Sequence, residues 1–101
     1  MAVHAYASGN WHVRGGSEDE FVSTWTAFLE WSREAAPGLV GASLIREEGG
    51  SGRFVSVAEW ADGAARAGWQ SHAGFAERLG ACRSLCDDFV GGSFELVAHV
   101  T

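Results

Sequence analysis

The chain of 101 residues has no lysine, one proline and two cysteines. It also has no apolar run near the roughly 18 residues that a helix needs to cross a bilayer. Positive charge comes only from arginine, at Arg14, Arg33, Arg46, Arg53, Arg66, Arg78 and Arg83. These seven are spread along the sequence and outnumbered by 13 acidic residues, giving a formal net charge of −6. With no basic stripe to neutralise phosphates or headgroups, unaided binding to nucleic acid or to an anionic membrane is excluded as an expectation. Cys82 and Cys86 are too few for a secreted disulfide scaffold. The opening MAVHAYASGN lacks the basic start and sustained apolar run of a signal peptide, so a cytoplasmic location is the default expectation.

Several chemical signatures are absent as well. There is no GxxxxGK[ST] phosphate loop and no dinucleotide-type GxGxxG following a strand. His4, His12, His72 and His99 form neither HxH nor HExxH spacing, so no metal constellation is expected. No serine sits in a nucleophile-elbow context. Cys82 and Cys86 share a helical face at i, i+4, where two thiols without further ligands are usually small core residues.

What the chain does have is aromatic mass, with five Trp and six Phe. A single domain over residues 1–101 is expected, since a chain this short buries only about 60–65% of its unfolded surface and leaves no room for a second core. The aromatic count exceeds what so small a core requires. Aromatic side chains are favoured at subunit interfaces and in ligand pockets, and a partner subunit would supplement the modest stability of a monomer.

Val3 to Val13 alternates imperfectly and reads as a strand with a bulge at Gly9-Asn10. Ser17 followed by Glu18, Asp19 and Glu20 has the form of a capping box, and Phe21, Trp25, Phe28, Leu29 and Ser32 then recur at helical spacing until Pro37-Gly38. A helix over about 18–36 follows. Leu39–Glu47 and Phe54–Trp60 read as two antiparallel strands joined by the glycine-rich EGGSGR loop, with the facing of the second left open. Asp62 is an acceptable N-cap for a second helical region, broken near Gly74 and Gly80 and continuing through Phe75, Leu79, Cys82 and Leu85. Gly91-Gly92 reads as a turn, and Ser93–Val100 as the clearest one-sided strand.

The order β-α-β-β-α-β predicts an α+β, ferredoxin-like split motif, with a four-stranded antiparallel sheet and helices on one face. Its other face needs cover. Two such sheets packing face to face in a homodimer would supply it and would use the surplus aromatics.

The segments GNWHVRGG, EDEFVSTW, PGLVGASLIRE and above all RFVSVAEWADGAARAGWQSHAGFAERL, closed by FELVAHV, resemble the antibiotic biosynthesis monooxygenase family of dimeric α+β barrels. The resemblance covers almost the whole chain. It implies a homodimer with a pocket between sheet and helices in each subunit, and oxidation of an aromatic or polyketide-like molecule by molecular oxygen with no metal or flavin. Related members degrade haem, using a strand Asn, a Trp nine positions after the Trp that closes the third strand, and a His ten positions beyond that. Trp60 and Trp69 reproduce the first interval and Asn10 lies near the strand position, but the His position is occupied by Leu79, which argues against haem ligation of that type. The alternatives are a non-catalytic small-molecule-binding or stress-associated member of the fold, and an atypical haem binder.

A cofactor-free oxygenase must hold an electron-rich phenol or enol and stabilise its deprotonated form with donors in a dry site. The candidate catalytic residues are therefore Asn10 as a donor, Trp69 as a stacking surface with an indole donor, and His72 as the imidazole suited to proton transfer near neutral pH. Trp60 and Phe75 are the candidate substrate-pocket residues; no cofactor-binding or metal residue is expected. Each has a plainer reading, Asn10 as support for the Gly9 bulge and the tryptophans as core. Arg66 and Arg83 suit either a substrate carboxylate or surface ion pairs.

Overall fold

Residues 4–101 are described by the computed structural model. Within them the chain forms β1 (Ala5–Val13), α1 (Glu18–Ala35), β2 (Leu39–Arg46), β3 (Arg53–Trp60), α2 (Gly63–Gln70), α3 (Phe75–Arg83) and β4 (Cys86–Glu95). The four strands make one antiparallel sheet in the order β2-β3-β1-β4, the expected ferredoxin-like α+β arrangement with its second helix in two pieces. Among the described residues no helix is long and apolar enough to cross a membrane.

The helix boundaries follow from local chemistry. Asp62 caps α2, its Oδ1 accepting from the Ala65 N–H at 2.8 Å. Ala36 turns extended ahead of Pro37, whose ring disfavours a helical predecessor. The capping box expected at Ser17 does not form. Ser17 has φ −105° and ψ 8°, away from the extended geometry that aims a capping hydroxyl into the first turn. Glu18 instead reaches back to accept from the Gly16 N–H at 2.9 Å. The break between α2 and α3 is tied to packing, since a Cβ on Gly74 would lie 2.6 Å from Trp31 Cζ2.

Two strand expectations are corrected. The irregularity in β1 falls between His12 and Val13 rather than at Gly9-Asn10. The last strand is Cys86–Glu95 rather than Ser93–Val100, and Gly91-Gly92 is not a turn but the middle of β4, opposite Gly9 and Ser8. Glycine serves there because neighbouring rings fold across the backbone: a Cβ on Gly92 would sit 2.6 Å from Phe94 Cε1. Beyond Glu95, the Leu96 N–H donates to the His4 carbonyl and the remaining residues are not in a strand.

Strand register settles the facing of β3. Phe54, Ser56, Ala58 and Trp60 are all buried on the face that meets the helices, in line with Ala5, Gly9, Trp11 and Val13 of β1. The helices close this face with Phe21, Trp25, Phe28 and Leu29 of α1, Trp69 of α2 and Cys82 of α3. The opposite face carries Tyr6, Asn10 and His12 together with exposed Ile45, Val57, Val90 and Phe94.

Candidate functional site

The inner face of the sheet is uneven because residue size changes from row to row. At one end, register aligns Phe54, Trp11 and Phe89; at the other, Trp60 faces Ala5. Between them lie a row of Leu44, Ser56, Gly9 and Gly91 and a row of Ala42, Ala58, Ala7 and Ser93. Small side chains on β1, β3 and β4 in these two consecutive rows leave a trough bounded by rings. Trp25, Phe28 and Leu29 of α1, with Trp69, Phe75 and Leu79 from the broken second helix, roof it.

The cavity measures about 390 Å³, within the roughly 300–1,000 Å³ typical of small-molecule sites. Its mouth is marked by Gln70 and Ser93, both exposed. No histidine, carboxylate, cysteine or arginine lines it among the described residues.

Trp69 is the best-held wall. Its ring stacks on Phe28 at 5.7 Å between centroids and meets the edge of Phe75 at 4.7 Å. Its Nε1–H donates to Ser32 Oγ at 2.8 Å, and Ser32 in turn donates to the Phe28 carbonyl at 2.7 Å. The indole donor is thus committed inside the protein, and Trp69 offers the cavity ring carbon rather than a hydrogen bond. A second relay lies at the floor, where Trp11 Nε1–H donates to Ser56 Oγ at 2.9 Å. Gly9 makes that bond possible, because a Cβ there would stand 2.6 Å from Trp11 Nε1 and 2.7 Å from Ser56 Oγ.

The other candidates are dispersed. Phe75 lines the cavity with Trp69. Trp60 does not; it is fully buried behind Trp69, 4.8 Å between centroids, and its Nε1–H has no acceptor among the described residues. His72 is exposed in the turn between α2 and α3, its ring edge-on to Trp31 at 5.0 Å and its Nδ1 accepting from the Gly74 N–H. Asn10 lies on the opposite face of the sheet, where its Oδ1 accepts from Arg53 at 3.4 Å. Asn10 and His72 therefore do not converge with Trp69.

Arg66 donates to the carbonyls of Tyr6 and Phe94, bracing two strand ends, and the Arg83 guanidinium lies 5.5 Å from the Phe89 ring centroid. Trp11, Ser56 and Phe89 were not singled out from the sequence. The signal that points to them is the run of small inward residues, Ala5, Ala7 and Gly9 on β1 and Ser56 and Ala58 on β3, which leaves a floor without bulk.

Burial pushes the Cys82 thiol up to about 12, with the neighbouring Cys86 adding to the shift. Cys86 is also raised, first by burial. Neither thiol is primed as a nucleophile. On the outer face Tyr6 is raised by desolvation and by Glu59, while Glu47 is lowered chiefly by the hydrogen bond from Ser51.

A model of the antibiotic biosynthesis monooxygenase family matches residues 5–78, most of the chain. The chain belongs to that family. Among solved structures it is similar to a variant of SnoaB, a cofactor-independent oxygenase from Streptomyces nogalater, at 26% identity over 97% of this chain and 95% of that one, with a TM-score of 0.83. A structure described as an antibiotic biosynthesis monooxygenase matches at 17% identity over 95% and 99% of the two chains, with a TM-score of 0.73. A conserved protein from Methanosarcina mazei matches at 13% identity over 91% of each, with a TM-score of 0.78. These last two share the fold alone. No curated protein sequence matches significantly.

The haem-degrading branch of the resemblance can be tested against the cavity. Leu79, which occupies the imidazole position of that branch, is part of the apolar wall, and the polar side chains around it are those of Ser, Gln and Trp. That donor set does not fit ligation of haem iron.

Proposed function

We propose that this family member is a cofactor-independent monooxygenase acting on an aromatic or polyketide-like small molecule. The observation that carries the reading is a ring-walled cavity of about 390 Å³ whose floor presents a buried hydroxyl. The substrate class that fits is a planar ring system with a methylene that tautomerises to a phenol. Its oxidation balances as one ring methylene and one molecule of dioxygen giving one ring carbonyl and one water. Both C–H bonds of the methylene are lost, one oxygen atom becomes the carbonyl, and the other leaves as water with the two hydrogens. Loss of one proton gives an electron-rich enolate that reacts with oxygen. A hydrogen-bond donor at the enolate oxygen, in a site that excludes water, lowers the barrier to forming it. No base lines the cavity among the described residues, so the proton leaves through water at the mouth beside Gln70 and Ser93. The rate should follow the ionisation of the substrate.

Oxygen uptake and product mass with a panel of anthrone-type phenols test this reading. Turnover is expected in the wild type and in His72→Ala, with loss in Trp69→Ala. No uptake across a panel that binds would instead favour the non-catalytic binding reading, to which the missing cavity base also points.

A homodimer is part of the proposal. Ile45, Val90 and Phe94 are each more than half exposed (64%, 59% and 57%) on one sheet face, an apolar area that a second copy of the same face would cover. Sedimentation over a range of concentrations tests it, and a monomer throughout would overturn it.

A further inference from the structure

The cavity has one buried polar side chain whose hydrogen-bonding capacity is not used up. Ser56 is only 7% exposed. A serine hydroxyl carries one donor and can accept twice. Here Oγ accepts from Trp11 Nε1 at 2.9 Å, and among the described residues its own hydrogen has no acceptor. The contrast with Ser32 is direct, since that hydroxyl both accepts from Trp69 and donates to the Phe28 carbonyl.

Three features aim Ser56 at a ligand. The indole of Trp11 fixes one side of the oxygen and, as a donor only, cannot take the hydroxyl proton. Register places Ser56 beside Gly9, with Gly91 next across the sheet, so neither neighbour sets a side chain of its own against the hydroxyl, and the rings that fold over these glycines are Trp11, which already holds the oxygen, and Phe89. Of the other polar residues at the cavity, Gln70 and Ser93 are exposed at the mouth, where water competes for their bonds, and Ser8 alternates to the opposite face of the sheet. A hydrogen bond made at the shielded floor counts for more than one made at the wet rim.

Resting on the aromatic-cavity reading above, we infer that Ser56, held by Trp11, is the donor that anchors the oxygen of the substrate and sets which ring systems the site accepts. The ring lies among the aromatic walls of the cavity, with its carbonyl or enolate oxygen at the floor and accepting from Ser56. The preferred ligand class is a planar aromatic with an acceptor oxygen on the edge that enters first. The same hydrogen bond strengthens as the ligand oxygen becomes anionic, so Ser56 discriminates in favour of the deprotonated form. It acts as a binding and specificity residue, and its hydroxyl stays protonated.

Equilibrium dialysis with 1-naphthol, 1-tetralone and naphthalene tests the assignment. The wild type should hold both oxygenated probes about three- to tenfold more tightly than naphthalene, the worth of one shielded hydrogen bond. 1-Tetralone can only accept, so a preference for 1-naphthol alone would mean that the ligand donates, and would overturn the assignment without any variant. Ser56→Ala should abolish the preference while leaving naphthalene bound as before, which also reports that the cavity is still folded. Ser56→Thr, which keeps the hydroxyl, should restore it. A preference that survives in Ser56→Ala defeats the anchor and leaves the aromatic cavity standing. Failure of all three probes to bind the wild type defeats the cavity reading and the anchor with it.

Discussion

Ser32→Ala is a small change with a calculable cost. Ser32 is fully buried in α1 and accepts from Trp69 Nε1 at 2.8 Å. Removing its oxygen leaves the Phe28 carbonyl its helical backbone partner but strands the indole N–H in the interior. A buried donor without a partner costs about 1–3 kcal/mol, and the void left by one oxygen adds little. At about 4–8 °C per kcal/mol for a domain of this size, a loss of about 2 kcal/mol lowers the midpoint by about 8–16 °C. The measurement is thermal and urea unfolding at one fixed protomer concentration, because association would otherwise shift the midpoint. The control is a double-mutant cycle with Trp69→Phe, in which no indole N–H remains to be stranded. There Ser32→Ala should cost about 0.5 kcal/mol or less, giving a coupling of about 1–2 kcal/mol. An equal cost in both backgrounds would refute the claim that Ser32 positions the Trp69 wall.

Gly9→Ala forces a methyl to within 2.6 Å of Trp11 Nε1 and 2.7 Å of Ser56 Oγ, so it should destabilise by about 1–3 kcal/mol in the same urea assay. Cys82 should make stability fall in alkali. Its thiol is protonated in both states below about pH 9, whereas between the unfolded value near 9.0 and the folded value of about 12 only the unfolded chain ionises. Over that window Cys82 alone lowers stability by about 1.4 kcal/mol per pH unit, and Cys82→Ala should remove that share of the alkaline slope while the raised Cys86 thiol keeps its own. Phe94→Asp places a charge in the exposed apolar face and should shift sedimentation toward the monomer by at least tenfold in dissociation constant, with little change in unfolding of the separated subunit.

Much of the fold is legible in the sequence because its signals are local. Phe21, Trp25, Phe28, Leu29 and Ser32 fall on one helical face and are buried together as their spacing requires. The Asp62 cap and the Pro37 stop act within a few residues of themselves. Expectations failed where a distant neighbour decides. Gly91-Gly92 has the local chemistry of a turn but is held extended by pairing with Ser8 and Gly9, more than 80 positions earlier in the chain. The Ser17 hydroxyl makes no cap because the residue does not take the extended backbone that a capping side chain needs, a conformation that residue type alone does not fix.

The site shows the same division more sharply. Composition announced more aromatic mass than a core needs, and the interval from Trp60 to Trp69 singled out the ring that became a cavity wall. Neither could tell lining from backing, since Trp60 and Trp69 are equally large and are separated by which side of one packed pair meets the void. Asn10 and Gly9 are adjacent, yet strand alternation sends one outward to Arg53 and leaves the other beneath the cavity.

By itself the sequence determined the element order, the helix ends and the absence of a basic or metal-binding surface motif, because these depend on periodicity, caps and charge count. Only the tertiary structure decided that rows of small residues from β1, β3 and β4 align into a trough, and that Trp11 and Ser56 meet above Gly9. Register across strands is fixed by long-range pairing, and a cavity is a property of what several distant segments leave unfilled.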